Sequence, residues 1–216
     1  RKHLFRVFRN AAEYIHKNEI SDVVFIDRSA RGGYIGIKEY YRNAFPDSPQ
    51  PKVYFINPEG FQLDRFDESP ASLRKPMFMS DDQKYAAIDK RFAEVYPQLM
   101  EDKNEGKKVM VFDACIHSGN AMKPVLDSFA RLGFKDVKVG VYSLEAFAAK
   151  DTINVDFEMT AGAYSSPCRP FQIDGILLKN ADVVSATDRD DNSENFARVN
   201  QLRNEMVKIV RDQFSN

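Results

Sequence analysis

Lys108-Val109-Met110-Val111-Phe112-Asp113-Ala114-Cys115-Ile116-His117-Ser118-Gly119-Asn120 is the stretch that decides how this chain folds. The apolar run through Phe112 fits a strand buried on both faces, which is the pattern of a parallel sheet. An acid, Asp113, closes the strand and a short loop follows. Ser118 then opens a helix predicted to end near Leu132-Gly133, where glycine is a natural terminator.

The same alternation repeats on either side. Val23-Val24-Phe25-Ile26 is a shorter buried run, residues 52–57 form another, and residues 137–142 another. Between them lie stretches with helical spacing. Residues 4–18 carry Leu4, Phe5, Phe8, Ala11, Ala12 and Ile15 on one side. Residues 34–43 are helix-like. A further helix runs from a cap at Asp81 or Asp82 to about Met100. A last amphipathic helix runs from Asn192 to Phe214, with Phe196, Val199, Leu202, Met206, Ile209, Val210 and Phe214 on its apolar side. Residues 58–81, rich in Pro, Asp, Ser and charge, read as a long loop, and such loops usually serve function. Residues 145–173 show no clear period, and 173–178 suit a short fifth strand. Strand–helix alternation predicts an α/β fold: an open, mostly parallel sheet with helices on both faces, and a single domain over residues 1–216. Ligands of such folds sit at the carboxyl ends of the strands, where the loops 27–33 and 113–120 fall.

Composition narrows the function. The 216 residues are 43 % hydrophobic and 29 % charged, with 31 basic and 32 acidic residues for a net charge of −1. A generic nucleic-acid binder needs a basic face, so this balance argues against one. Two cysteines, Cys115 and Cys168, are too few for a disulfide scaffold, and no His/Cys spacing suits zinc. No apolar run is long enough to span a bilayer. The basic start at Arg1 lacks the apolar stretch of a signal peptide, so a cytoplasmic location is expected by default. Nucleotide-binding classes with fixed fingerprints are also excluded. Asp27-Arg28-Ser29 lacks the second acid of an Asp-x-Asp phosphatase. No Gly-Lys-Ser/Thr loop is present, and no Gly-x-Gly-x-x-Gly turn.

The loop after Asp113 has the chemistry of an anion site. A helix start presents unpaired N–H groups and partial positive charge. Gly119 has no Cβ to block a phosphate, and Ser118 adds a hydroxyl. Asp113 cannot favour a phosphate, so it suits hydroxyls or a metal. A sugar phosphate satisfies both ends.

The stretch from Val109 to Met122 resembles the phosphoribosyl pyrophosphate (PRPP) motif of the type I phosphoribosyltransferases. That motif is an apolar strand, two acids, a short apolar pair, a variable residue, then Thr-Gly and another Thr. The resemblance implies that Asp113 meets the ribose hydroxyls and reaches Mg²⁺ only indirectly, through ribose or water. It implies that Ser118 and Gly119 grip the 5-phosphate, within a loop of Asp113, Ala114, Cys115, Ile116, His117, Ser118, Gly119, Asn120 and Ala121. His117 stands where the purine enzymes carry an acidic base, and a histidine titrates in a range suited to that work. Ala114 stands in place of the second acid and Ala121 in place of the second Thr, so a ribose or magnesium contact and a phosphate hydroxyl are missing.

A second match lies upstream. Ala30-Arg31-Gly32-Gly33-Tyr34 is similar to the family's pyrophosphate loop, and Arg31 with two glycines offers a cation, amide donors and room. Residues 60–80 lie where the family's mobile loop would be, so Arg65, Arg74 and Lys75 are candidates to reach pyrophosphate. The resemblance covers about residues 20–145. It leaves 1–19 and 146–216 to form a hood or appendage, including the C-terminal helix.

The resemblance therefore implies a glycosyltransferase. It would bind PRPP or a nucleoside monophosphate with Mg²⁺ and pass ribose-5-phosphate between pyrophosphate and a nucleobase-like acceptor. Asp113, His117 and Arg31 would be catalytic, and a homodimer is compatible with the family. Ala114 and Ala121 keep open a second reading, a non-catalytic protein that senses PRPP or a nucleotide. A partner-binding protein built on the long last helix is a third.

Overall fold

The computed structural model describes residues 2–26, 30–56, 80–116, 121–144, 153–158 and 193–215. In chain order these form α1 (Lys2–Lys17), β1 (Ile20–Ile26), α2 (Arg31–Ala44), β2 (Lys52–Ile56), α3 (Asp81–Val95), α4 (Pro97–Asn104), β3 (Lys108–Ile116), α5 (Met122–Arg131), β4 (Lys138–Leu144), β5 (Phe157–Glu158) and α6 (Ser193–Phe214). Among the described residues the strands make one five-stranded sheet in the order β2-β1-β3-β4-β5. Every pairing is parallel. The expected α/β architecture is thus the observed one, with the C-terminal helix in place.

Successive strand residues point to opposite faces, and each face meets its own helical layer. Val23, Phe25, Met110 and Phe112 face Phe8, Ala11 and Ile15 of α1, Ile37, Tyr40 and Tyr41 of α2, and Met206 and Val210 of α6. Val24, Ile26, Val109, Val111 and Val141 face Ile88 and Phe92 of α3, Leu99 of α4, and Val125 and Phe129 of α5. The terminal helices α1 and α6 therefore share one sheet face with α2 rather than standing apart from the core. Two glycines permit this packing. A Cβ on Gly36 would collide with the Phe8 ring, so α1 and α2 cross there at backbone distance. A Cβ on Gly140 would collide with Met110 and Phe112 of the neighbouring strand.

Several boundaries differ from expectation. The helix expected to start at Asp81 or Asp82 is capped by Ser80. The Ser80 hydroxyl accepts from the Gln83 N–H at 3.4 Å, and the Ser80 N–H donates to Gln83 Oε1 at 3.0 Å. This reciprocal box satisfies two otherwise unpaired donors. The same helix was expected to reach Met100, but it breaks at Tyr96, where φ is −122° and ψ is 55°. Pro97 explains the break, since proline disfavours helical geometry in the residue before it and is accommodated as the first residue of a new helix. The Tyr96 hydroxyl also reaches back to donate to the Phe55 carbonyl at 2.5 Å. A short strand appears at Phe157–Glu158 beside β4. The strand expected at 173–178 lies outside the described residues.

Candidate functional site

β1 and β3 are neighbours, in register from Val23 opposite Met110 to Phe25 opposite Phe112. From β1 the chain leaves through α2 on one face to reach β2. From β3 it leaves through α5 on the other face to reach β4. The connections diverge between these two strands, which is the topological switch point where open parallel sheets bind ligands. The strands that lead into the two loops matched from sequence, one strand apart in the chain, are thus neighbours in the sheet.

The helices that begin at this edge start alike. The N-cap of α2 is Ala30 and that of α5 is Ala121; neither start has a side-chain cap, and neither first turn holds an acid. Alanine has no oxygen to offer, so neither cap residue competes with an anion for the first amides of its helix, and neither first turn holds a carboxylate to oppose one.

The sequence-derived residues distribute as follows. Ala30 is buried, and Gly32 and Gly33 are buried as well. Arg31, Gly32 and Gly33 are the first turn of α2, so the expected loop is a helix start and α2 begins three residues earlier than the predicted 34. A Cβ on Gly33 would meet nothing within 4 Å. Glycine costs about 0.5–1 kcal/mol relative to alanine inside a helix, and among the described residues no neighbour at Gly33 requires that cost.

Asp113 does not end its strand. β3 continues three residues further, with Asp113 opposite Val141, Cys115 opposite Ser143 and Ile116 opposite Leu144. Strand alternation puts Asp113 on the face of Val109 and Val111, and it is only 3 % exposed. Ala114 and Cys115 belong to this strand, and Ile116 is buried in the core beside α5. The expected helix start at Ser118 shifts to Met122, with Ala121 as the cap. Pro124 then falls in the first turn, where its missing N–H has no partner to lose. His117, Ser118, Gly119 and Asn120 lie outside the described residues, as do Arg65, Arg74, Lys75 and Cys168.

Two polar clamps hold the converging helices, and the sequence reading missed both. Glu39 of α2 accepts from Arg211 Nε of α6 at 2.7 Å and from Arg42 Nη2 at 2.9 Å. Burial alone would raise the Glu39 carboxyl, but the hydrogen bond from Arg211 and the Arg42 charge outweigh it and hold it below its usual range. On the other face, Asp89 of α3 accepts from Arg131 Nε and Nη2 of α5 at 2.8 and 2.9 Å, and from the Ser128 hydroxyl at 2.6 Å. The Arg131 guanidinium also lies 4.1 Å from the Tyr85 ring centre. Neither clamp has a local sequence signal, because its partners are far apart in the chain.

Among the described residues no helix is long and apolar enough to cross a membrane, and no group of three or more His, Cys, Asp and Glu side chains is placed to hold a metal ion. No protein-family model matches the sequence, and no curated protein matches it. Among solved structures, the purine phosphoribosyltransferase from Pyrococcus horikoshii Ot3 is similar at 15 % identity and a TM-score of 0.39, covering 72 % of this chain and 80 % of that one.

Proposed function

We propose that this chain binds PRPP or a nucleoside monophosphate between β1 and β3 and transfers ribose-5-phosphate between pyrophosphate and a nitrogenous base. The observation that carries this reading is the pair of uncapped helix starts at the switch point, preceded by the two loops that resemble the family's phosphate-binding segments. A diphosphorylated ribose needs two anion sites a few ångströms apart with hydroxyl recognition between them. The amides of Gly32 and Gly33 would take the pyrophosphate, with Arg31 supplying charge. The loop of Ser118, Gly119 and Asn120 would take the 5-phosphate. Asp113, on β3 before the second of these sites, would meet the ribose hydroxyls, and His117 would exchange a proton with the base. Arg65, Arg74 and Lys75 are the candidates to cover the pyrophosphate.

Mg²⁺ is compatible with so few carboxylates, because it keeps most of its waters and binds through substrate phosphates. When bound, it neutralises the leaving pyrophosphate. The chain's own residues hold both phosphates apart while the glycosidic carbon becomes positively charged.

The second reading is a non-catalytic PRPP or nucleotide sensor on the same scaffold. Ala121, a cap with no hydroxyl, and Ala114 favour it. One experiment separates the two. PRPP is titrated calorimetrically with and without Mg²⁺, and pyrophosphate release is then followed across a panel of nucleobases. Binding with release supports transfer, and binding without release supports the sensor. No heat at millimolar PRPP would remove both. In the transfer case, Asp113→Asn should lower turnover by about 100-fold, the size of effect expected when one positioned transition-state contact is lost.

A further inference from the structure

The amino end of the sheet holds a polar cluster that the proposed transfer does not use. Asp22 of β1 and Asp102 of α4 are both fully buried. Asp102 is saturated, since Lys52 Nζ at the start of β2 donates to Oδ2 at 2.5 Å and Lys107 Nζ donates to Oδ1 at 2.6 Å. Lys107 is also tied to Glu105 at 2.7 Å. Both oxygens of Asp22 and the Tyr54 hydroxyl of β2 are buried without a hydrogen-bonding partner.

The two ammonium groups thus bond to one carboxylate and reach the other only through space, too weakly to offset its burial. An unpaired buried carboxylate is strongly disfavoured, and a second negative charge beside Asp102 makes it worse. The groups facing Asp22 are Tyr54 and Lys52 from β2, Asp102 from α4, and Lys107 from the turn before β3. Burial first, and then Asp102, push the Asp22 carboxyl up to about 7. Burial would raise Asp102 too, but the Lys107 and Lys52 hydrogen bonds outweigh it and keep Asp102 below its usual range.

We propose that Asp22 and Asp102 form a proton-controlled clasp: protonated Asp22 lets α4 and β2 close against β1, and loss of that proton to solvent loosens the β2–α4 edge. β2 is the element that yields because, among the described residues, it lies at the edge and pairs only with β1. Its tie to α4 runs through Lys52 and Asp102, beside the new charge. The sign follows from linkage. A carboxyl raised by folding contributes stability that is present below its unfolded value and lost as pH rises through about 7.

The test is hydrogen exchange on the intact chain from about pH 5 to about pH 9, corrected for intrinsic rates. Amides of β2 and α4 should open about tenfold more at the alkaline end, the factor equivalent to one pKa unit. Asp22→Asn should make that profile flat while the amides of β3 and β4 stay unchanged. Should Asp22→Asn not fold, carbon-13 aspartate labelling of the native chain reads the same group, and one carboxyl carbon should titrate near neutrality. The clasp is overturned by a flat native profile, by an Asp22→Asn profile like the native one, or by aspartates that all titrate in the ordinary carboxylate range.

Discussion

The two ends of the sheet treat charge in opposite ways. At the amino end the charged side chains are paired with one another. Lys52 and Lys107 meet Asp102, Lys108 meets Glu19 and the Asn18 carbonyl, and Lys138 meets Asp136 and Asp156. Asp22 is the exception. At the carboxyl end α2 and α5 begin on alanine, and neither alanine supplies a side-chain cap. By contrast α3 begins with a complete capping box, so this chain does satisfy a helix start with its own side chains. Bonding capacity satisfied inside the protein marks scaffold, and capacity left open on buried, rigid elements marks a place for a ligand.

This contrast can be broken. Changes at the amino end should move stability and leave PRPP affinity alone, and changes at the carboxyl end should do the reverse. Asp102→Ala is the most severe. Breaking a fully buried ion pair costs roughly 3–5 kcal/mol. Lys52 and Lys107 are 43 % and 35 % exposed and can turn to water, so a loss of about 2 kcal/mol in urea unfolding is expected. An accompanying loss of PRPP affinity would show that the two ends are coupled.

Asp22→Asn should be milder and of opposite sign at alkaline pH. Native stability should fall between about pH 4 and 7 as the unfolded chain releases the proton that folded Asp22 keeps. The variant should lack that slope and gain about 1–3 kcal/mol at alkaline pH, the usual cost of an uncompensated buried group. Glu39 works in the other direction. Its carboxyl is lowered by folding, so its contribution is lost only at acid pH, as the folded group is protonated. Thermal unfolding across pH, with Asp22→Asn and Glu39→Gln, separates the two.

At the carboxyl end the caps supply a finer test. Ala121 has helical backbone angles, φ −82° and ψ −41°, so Ala121→Asp and Ala121→Ser differ there chiefly in charge rather than in capping. They should diverge on ligand. The carboxylate should oppose a phosphate and weaken PRPP binding, while the hydroxyl should preserve or strengthen it. Equal affinities would argue that no anion approaches α5. The smallest effect belongs to Gly33→Ala. With nothing within 4 Å of the added Cβ, it should gain about 0.5–1 kcal/mol in melting experiments. A methyl in the path of a pyrophosphate should also reduce affinity, and a stabilised variant with undiminished binding would place the ligand elsewhere.

How much was legible beforehand depends on the range of the forces involved. Val23 to Ile26 and Val109 to Phe112 declare buried parallel strands, because continuous apolar, β-branched runs have no other stable place. The amphipathic stripe of α6 is equally plain, and Met206, Ile209 and Val210 are buried. Boundaries were less legible. Asp113 looks like a strand end because it is charged, yet pairing with β4 carries the ladder on to Ile116. Ser118-Gly119 looks like a helix start, yet α5 begins at Met122, and Arg31 to Gly33 look like a loop but start α2. In each case hydrogen bonds to a neighbouring element or turn, rather than the residues themselves, set the limit.

The local sequence was enough for the α/β class, the apolar faces and the two loops with anion chemistry, because hydrophobic period and turn composition act over a few residues. Only the tertiary structure decided that the strands leading into those loops are neighbours, since strand order brings β1 beside β3 with α2, β2, α3 and α4 between them in the chain. It also decided that Glu39 is held by Arg211 and that Asp102, rather than Asp22, receives both lysines. Those outcomes depend on burial and on which charges come within a few ångströms, and neither quantity exists until the sheet has formed.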